Sequence, residues 1–165
     1  MKNLFSKPEI KIDIFGDPEA KKILQRFSNL NYPVFINPNI IKGHVTFIAP
    51  EGKTVNHKGI NITLFGEYRD PENRSVHRFF HRIKTIQPEG TFHDVFETDF
   101  SFDSVRMPTA TYYATSMNVI FGIEATINHT FSKTLQESQI IVLLFMQPPY
   151  PVPVHNEIGM RNVLH

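Results

Sequence analysis

The residues best suited to chemistry lie between Arg74 and Lys84. His77 and His81 stand four apart in His77-Arg78-Phe79-Phe80-His81, a spacing at which two imidazoles on one helix face share a metal ion. The surrounding pattern predicts extended backbone instead. On a strand, residues four apart share a face but sit too far from one another for a single ion to bridge them without further ligands. No Cys occurs in the chain, no acidic third ligand stands close by, and the Glu of an H-E-x-x-H pattern is missing, so two ordinary strand histidines are the preferred reading. The second candidate is cationic. Arg78, Phe80, Arg82 and Lys84 share one face of the predicted strand, with Arg74 just before it. Such a patch can meet lipid phosphates or an acidic partner. A solvated face that discourages edge pairing is the simpler account of the same residues.

Other chemistries find less support. Acyl transfer lacks its G-x-S-x-G, thiol chemistry lacks a thiol, and the glycines stand singly at turns rather than in phosphate-loop or dinucleotide fingerprints. Glu97 and Asp99 share a strand face, which is ordinary for the solvent side of a sandwich strand. Sheet-based nucleic-acid readers need exposed aromatics among basic residues, whereas most of the phenylalanines fall on inward-reading positions. The residues therefore predict no catalytic group, no metal, no cofactor and no nucleic-acid partner.

The elements that carry these residues belong to a chain long enough for one core. It has 165 residues, with fifteen Phe, five Tyr, no Trp and no Cys, so its interior is rich in phenylalanine and owes nothing to disulfides. Seventeen basic against sixteen acidic side chains leave a net charge of +1, which steers the protein to no polyanion. No apolar run reaches signal-peptide or membrane-spanning length, and the chain is read as soluble and intracellular.

Residues 10–15 alternate and close at Gly16-Asp17-Pro18, a first strand and its turn. Residues 19–24 predict one or two helical turns, stopped by Asn29, Asn31 and Pro33, and a connector follows. Residues 40–48 alternate again, and Pro50-Glu51-Gly52-Lys53 turns the chain. The stretch 55–66 is the organising one: His57 and Gly59 form a turn at its entrance, Ile60, Ile62 and Leu64 fill a core face, and Gly66 lets the chain bend away. Asp70-Pro71-Glu72-Asn73 is a loop tip; residues 76–86 are extended until Pro88-Glu89-Gly90 breaks them. Residues 94–105 and 117–127 alternate, and residues 140–146 are apolar on both faces, as in a central strand. Short strands spaced by turn signals, with at most one short helix, predict an all-β antiparallel sandwich. Four prolines between Pro148 and Pro153 mark a linker.

In order and spacing, several motifs resemble the amino-terminal lobe of the vacuolar protein sorting-associated protein 26 family, the arrestin-like subunit of the retromer coat. They are the strand running into Asp17-Pro18-Glu19-Ala20-Lys21, then Ile41-Lys42-Gly43-His44-Val45, and His57-Lys58-Gly59-Ile60 with its closing Gly66. Asp99-Phe100-Ser101-Phe102, Pro108 with Tyr112, and Glu157-Ile158-Gly159 with Leu164-His165 complete the set. The chain departs from the family at Pro88-Glu89-Gly90 and at Ala110, Thr111 and Ala114. Ile120-Phe121 stands where the family has an Arg-Tyr pair, so a charge pairing of the family is expected to be lost.

The resemblance implies an arrestin-like, immunoglobulin-type lobe over residues 8–147, a proline-rich linker over 148–156, and over 157–165 the start of a second lobe that is expected to be absent. It also implies a non-enzymatic adaptor or scaffold in endosomal protein sorting, acting through protein contacts. The implied partners are a helical-solenoid retromer subunit and sorting nexins, and the implied location is cytoplasmic, peripheral to endosomal membranes. Arg78, Arg82 and Lys84 form the expected membrane or partner patch, and His57, Gly59, Ile60 and Gly66 form a structural signature. The runner-up function is a peripheral membrane module using the three cations. A more general arrestin-domain trafficking adaptor is a further alternative.

Overall fold

The computed structural model describes residues 7–130 and 133–145. The expected linker and second-lobe start therefore lie outside the described residues. Two sheets face each other. The smaller contains β1 (Glu9–Ile14), β3 (Ile41–Ile48) and β6 (Val95–Phe102), in the order β1-β3-β6. The larger contains β2 (Val34–Ile36), β4 (Thr54–Arg69), β5 (Val76–His93), β7 (Asn118–Asn128) and β8 (Leu135–Leu144), in the order β2-β8-β7-β4-β5. The strand pairs are antiparallel apart from β2 with β8, which is parallel. This is the all-β sandwich that the alternating pattern predicts, with one short helix among the described residues.

Alternation places the core. Val45 and Phe47 of β3, Phe100 and Phe102 of β6, Ile60, Ile62 and Leu64 of β4, and Phe121, Ile123, Ala125 and Ile127 of β7 pack as one buried cluster between the sheets. The period of two along each strand sends these side chains to one face. Helix α1 (Pro18–Gln25) covers the outer side of the larger sheet, where Ala20 packs with Val34 and Val142. Asp17 caps it: the carboxylate accepts from the N–H groups of Glu19 (2.9 Å) and Ala20 (3.3 Å), and Pro18 starts the first turn. The Asp17 N–H donates to the Val34 carbonyl, tying cap to sheet.

Three local expectations are corrected. No turn interrupts residues 55–59, because β4 runs unbroken from Thr54 to Arg69. Gly59 instead sits inside the strand at φ +144°, and the buried positions shift there from Val55 and His57 to Ile60, Ile62 and Leu64. Gly66 is also mid-strand and bends nothing away. A Cβ there would stand 2.8 Å from Phe121 Cε1 and 2.9 Å from Phe79 Cζ, so the glycine gives two rings room. Lastly, Pro88-Glu89-Gly90 does not break β5, which continues to His93. β5 is an edge strand, where alternate amides face away from any neighbour, so a proline is accommodated.

Candidate interaction surface

The polar chemistry of the chain gathers along β5 and where β5 approaches β6. Two irregularities in the β4–β5 pairing decide how. Gly66 pairs with Phe80 and Glu67 with Arg78, leaving Phe79 as an inserted residue; Ile60 pairs with Gln87 and Asn61 with Thr85, leaving Ile86 inserted. Each bulge shifts the strand's alternation by one.

The first bulge separates the three predicted cations. Arg78 lies opposite Glu67 on the outer face of the larger sheet, while Arg82 and Lys84 lie opposite the core-facing Leu64 and Ile62. The expectation that they share a face assumed an unbroken period of two, which the extra residue at Phe79 removes. His77 and His81 part for the same reason: His77 stacks on Tyr68, and His81 pairs opposite Phe65 on the other face. Among the described residues no group of three or more His, Cys, Asp or Glu side chains stands together as a metal site.

Each of the three cations has protein partners. Arg78 donates through Nε and Nη2 to Glu67 Oε2 (3.1 and 3.0 Å), reaches Glu124 Oε2 at 3.4 Å, and lies 4.4 Å over the Phe65 ring. Burial works against its charge, but Glu124 and Glu67 more than offset that and raise its pKa. Arg69 donates twice to the other oxygen of Glu67, at 3.1 and 2.8 Å. Glu67 is thus a buried carboxylate held by two forked guanidinium groups. Ile120, at the position where the resemblance places an arginine, lies directly opposite Glu67; Arg69 and Arg78 supply the charge from β4 and β5.

Arg82 and Lys84 cross from one sheet to the other. Arg82 Nη1 donates to the Asp103 carbonyl (2.8 Å) and Lys84 Nζ to the Ser101 carbonyl (2.7 Å). The Arg82 guanidinium also stands 5.7 Å from the Phe102 ring centroid. The two side chains therefore lace the open seam between edge strands β5 and β6. Beside them is a cleft of about 550 Å³, lined by Phe15, Lys42, Lys84, Ile86, Thr98 and Phe100 among others.

His57 is buried among the strands it was expected to introduce. Its Nδ1 accepts from the Gly59 N–H (3.1 Å), which requires the proton on Nε2, and Nε2 then donates to Gln87 Oε1 (2.8 Å). The second bulge brings Gln87 opposite Ile60 and within reach of this ring. Ile60 is fully buried in the core. Lys58 pairs with Glu89 at 2.6 Å across the same two strands, and this contact lowers the pKa of Glu89.

One cluster escaped sequence reasoning. On the outer face of the smaller sheet, His44 Nδ1 meets Asp99 Oδ1 at 2.7 Å and Nε2 meets Glu97 Oε2 at 3.3 Å. The β3–β6 register, with His44 opposite Asp99, creates the contact. The hydrogen bonds to Asp99 and then Glu97 raise the pKa of His44. No local motif announces a contact between residues 55 positions apart.

Fold and surface together define an arrestin-like β-sandwich lobe, most of whose notable polar side chains hold strand to strand. A profile of the family described as vacuolar protein sorting-associated protein 26 matches residues 6–165. The chain belongs to that family. It is 25% identical over 138 residues to vacuolar protein sorting-associated protein 26A of Arabidopsis thaliana, covering 81% of this chain and 45% of that protein. It is 18% identical over 168 residues to the Schizosaccharomyces pombe protein 26 (98% and 56%), and 23% identical over 160 residues to that of Plasmodium falciparum (95% and 54%). The chain spans about half the length of these curated relatives. Among solved structures, the sporulation control protein Spo0M of Bacillus subtilis superposes with a TM-score of 0.59 at 10% identity, covering 97% of this chain and 56% of that one, a likeness of fold.

Proposed function

We propose that this chain acts as a non-enzymatic adaptor or scaffold lobe in endosomal protein sorting of the retromer kind, working through protein contacts. The family match over residues 6–165 carries the reading, and the relatives' names place them in vacuolar protein sorting. The architecture suits it. Four strand edges border the two sheets among the described residues, and edges with their flanking loops are the surfaces a sandwich offers to other chains. In this reading residues 8–147 form the lobe, 148–156 a linker and 157–165 the start of a second lobe. A helical-solenoid retromer subunit and sorting nexins are the partners, and the chain sits at the cytoplasmic face of endosomes through them.

The membrane alternative loses ground on geometry. Arg78 faces away from Arg82 and Lys84, and all three guanidinium or ammonium groups are engaged by protein oxygens, so no common cationic face is left for phosphates. Tagged protein expressed in its own host cell tests the adaptor reading. It is expected to concentrate on endosomes and to co-purify with a helical-solenoid subunit. A diffuse distribution with no such partner recovered would overturn it.

A further inference from the structure

We infer that a row of aromatic side chains at one end of the larger sheet is the docking surface for the chain's own proline-rich segment, residues 148–153, which lie outside the described residues. The inference goes beyond the adaptor reading, because it fixes the direction in which the chain leaves the lobe.

Register builds the row. Tyr112 and Val119 exchange backbone hydrogen bonds (3.0 and 2.7 Å), Val119 lies opposite Tyr68, and Tyr68 lies opposite His77. Residues directly opposite one another share a face of the sheet, so these four side chains stand in line across the strands. Val119 enters the core, whereas Tyr112 is 56% exposed, Tyr68 is 37% exposed and His77 is exposed. Tyr68 stacks on His77 and on Phe79, with ring centroids 6.3 and 4.4 Å apart. Glu67 and Arg78 lie on the opposite face, which leaves the row an aromatic platform without Lys, Arg or carboxylate.

Its spacing fits polyproline II backbone. Neighbouring strands lie about 4.8 Å apart, so Tyr112 and Tyr68, two strand steps from each other, are separated by roughly 9.6 Å. Polyproline II has three residues per turn and rises about 3.1 Å per residue, so every third residue recurs at roughly 9.3 Å. Pro148-Pro149-Tyr150-Pro151-Val152-Pro153 places Pro148 and Pro151 at that interval and carries no charge. Prolines favour this backbone in advance, and aromatic-lined surfaces take such segments for that reason. Chain continuity selects this segment over one from another molecule. The Thr111 N–H donates to the Leu143 carbonyl (3.0 Å), and Thr111 Oγ1 accepts from the Leu143 N–H (2.8 Å), so β8 delivers the chain beside the residue that precedes Tyr112. Pro148 follows Leu143 by five residues, an extended reach of roughly 17 Å, and a tethered segment holds a high effective concentration.

The test compares the whole chain with its Pro148→Gly/Pro151→Gly variant, which changes no residue of the sandwich. Both are treated with tetranitromethane, and nitration of each tyrosine is followed by peptide mass spectrometry. Tyr68 and Tyr112 should react about fivefold more slowly in the wild type, because docked prolines cover their rings. Tyr113, which is 42% exposed and off the row, should react at an unchanged rate. Equal rates at Tyr68 and Tyr112 in the two proteins would overturn the inference, as would equal protection of Tyr113. Protection that fades on dilution would assign the row to a second copy of the chain and overturn it too. Endosomal recruitment is measured separately, so either reading can fail while the other stands.

Discussion

Removing Glu67 is expected to cost more stability than removing either arginine that it holds. Its side chain is 9% exposed and accepts four hydrogen bonds, two from Arg69 and two from Arg78. In Glu67→Ala the Arg78 charge stays over the Phe65 ring with Glu124 at 3.4 Å as its remaining carboxylate. Removing one partner of a fully buried pair costs about 3–5 kcal/mol, and an exposed pair contributes about 0–1 kcal/mol. The arginines are 33% and 37% exposed, so water recovers part of the loss and Glu67→Ala should cost about 2–3 kcal/mol. Arg69→Ala leaves Glu67 bound by Arg78 and should cost about 0.5–1 kcal/mol. Arg78→Ala also uncovers Phe65 and should cost about 1–2 kcal/mol. For a chain of this size the Glu67 variant should melt roughly 5–10 °C lower. Urea unfolding followed by circular dichroism, with a Glu67→Ala/Arg78→Ala double-mutant cycle, measures all of these. The reasoning is refuted if Glu67→Ala is no costlier than Arg69→Ala, or if the cycle gives no coupling.

His44 should make stability depend on pH. Its pKa is raised above 6.5 by Asp99 and Glu97, so its contribution is complete below that value and is lost as pH rises through the folded-state pKa. The urea midpoint of wild type should therefore exceed that of His44→Ala by more at mildly acidic than at alkaline pH; an equal gap at both would count against the ion pairs. At the buried kink in β4, His57→Ala loses bonds to the Gly59 amide and Gln87 and leaves a void beside Phe92, a cost of about 2–3 kcal/mol. Gly59→Ala, forced to φ +144°, should cost about 1–3 kcal/mol. Equilibrium unfolding checks both, and wild-type stability in either variant would contradict the kink's role.

Much of the sandwich was legible along the chain because burial on one face of a sheet imposes a period of two. Residues 117–127 alternate without interruption, and Val119, Phe121, Ile123, Ala125 and Ile127 are the residues of β7 that enter the core. Residues 19–24 announced the short helix, whereas Asp17 and Pro18, read as the turn after the first strand, prove to be its cap and first residue. β2 was not legible, because three residues are too few for a period, and Val34–Ile36 becomes a strand by pairing with Val142, Leu143 and Leu144 of β8.

The candidate surface was legible in composition and not in geometry. Arg78, Arg82 and Lys84 stand out by charge and spacing, yet whether they act together depends on strand register. Register is a long-range property: Phe79 becomes an inserted residue once β4 lies alongside, with Gly66 opposite Phe80 and Glu67 opposite Arg78. Sequence therefore dictated the periodicity and the family, since these are written in neighbouring residues. Tertiary structure alone decided that Arg78 turns outward to Glu67 while Arg82 and Lys84 cross to the carbonyls of Asp103 and Ser101. The physical reason is that a single unpaired residue reverses every side chain beyond it, and only the partner strand determines which residue is left unpaired.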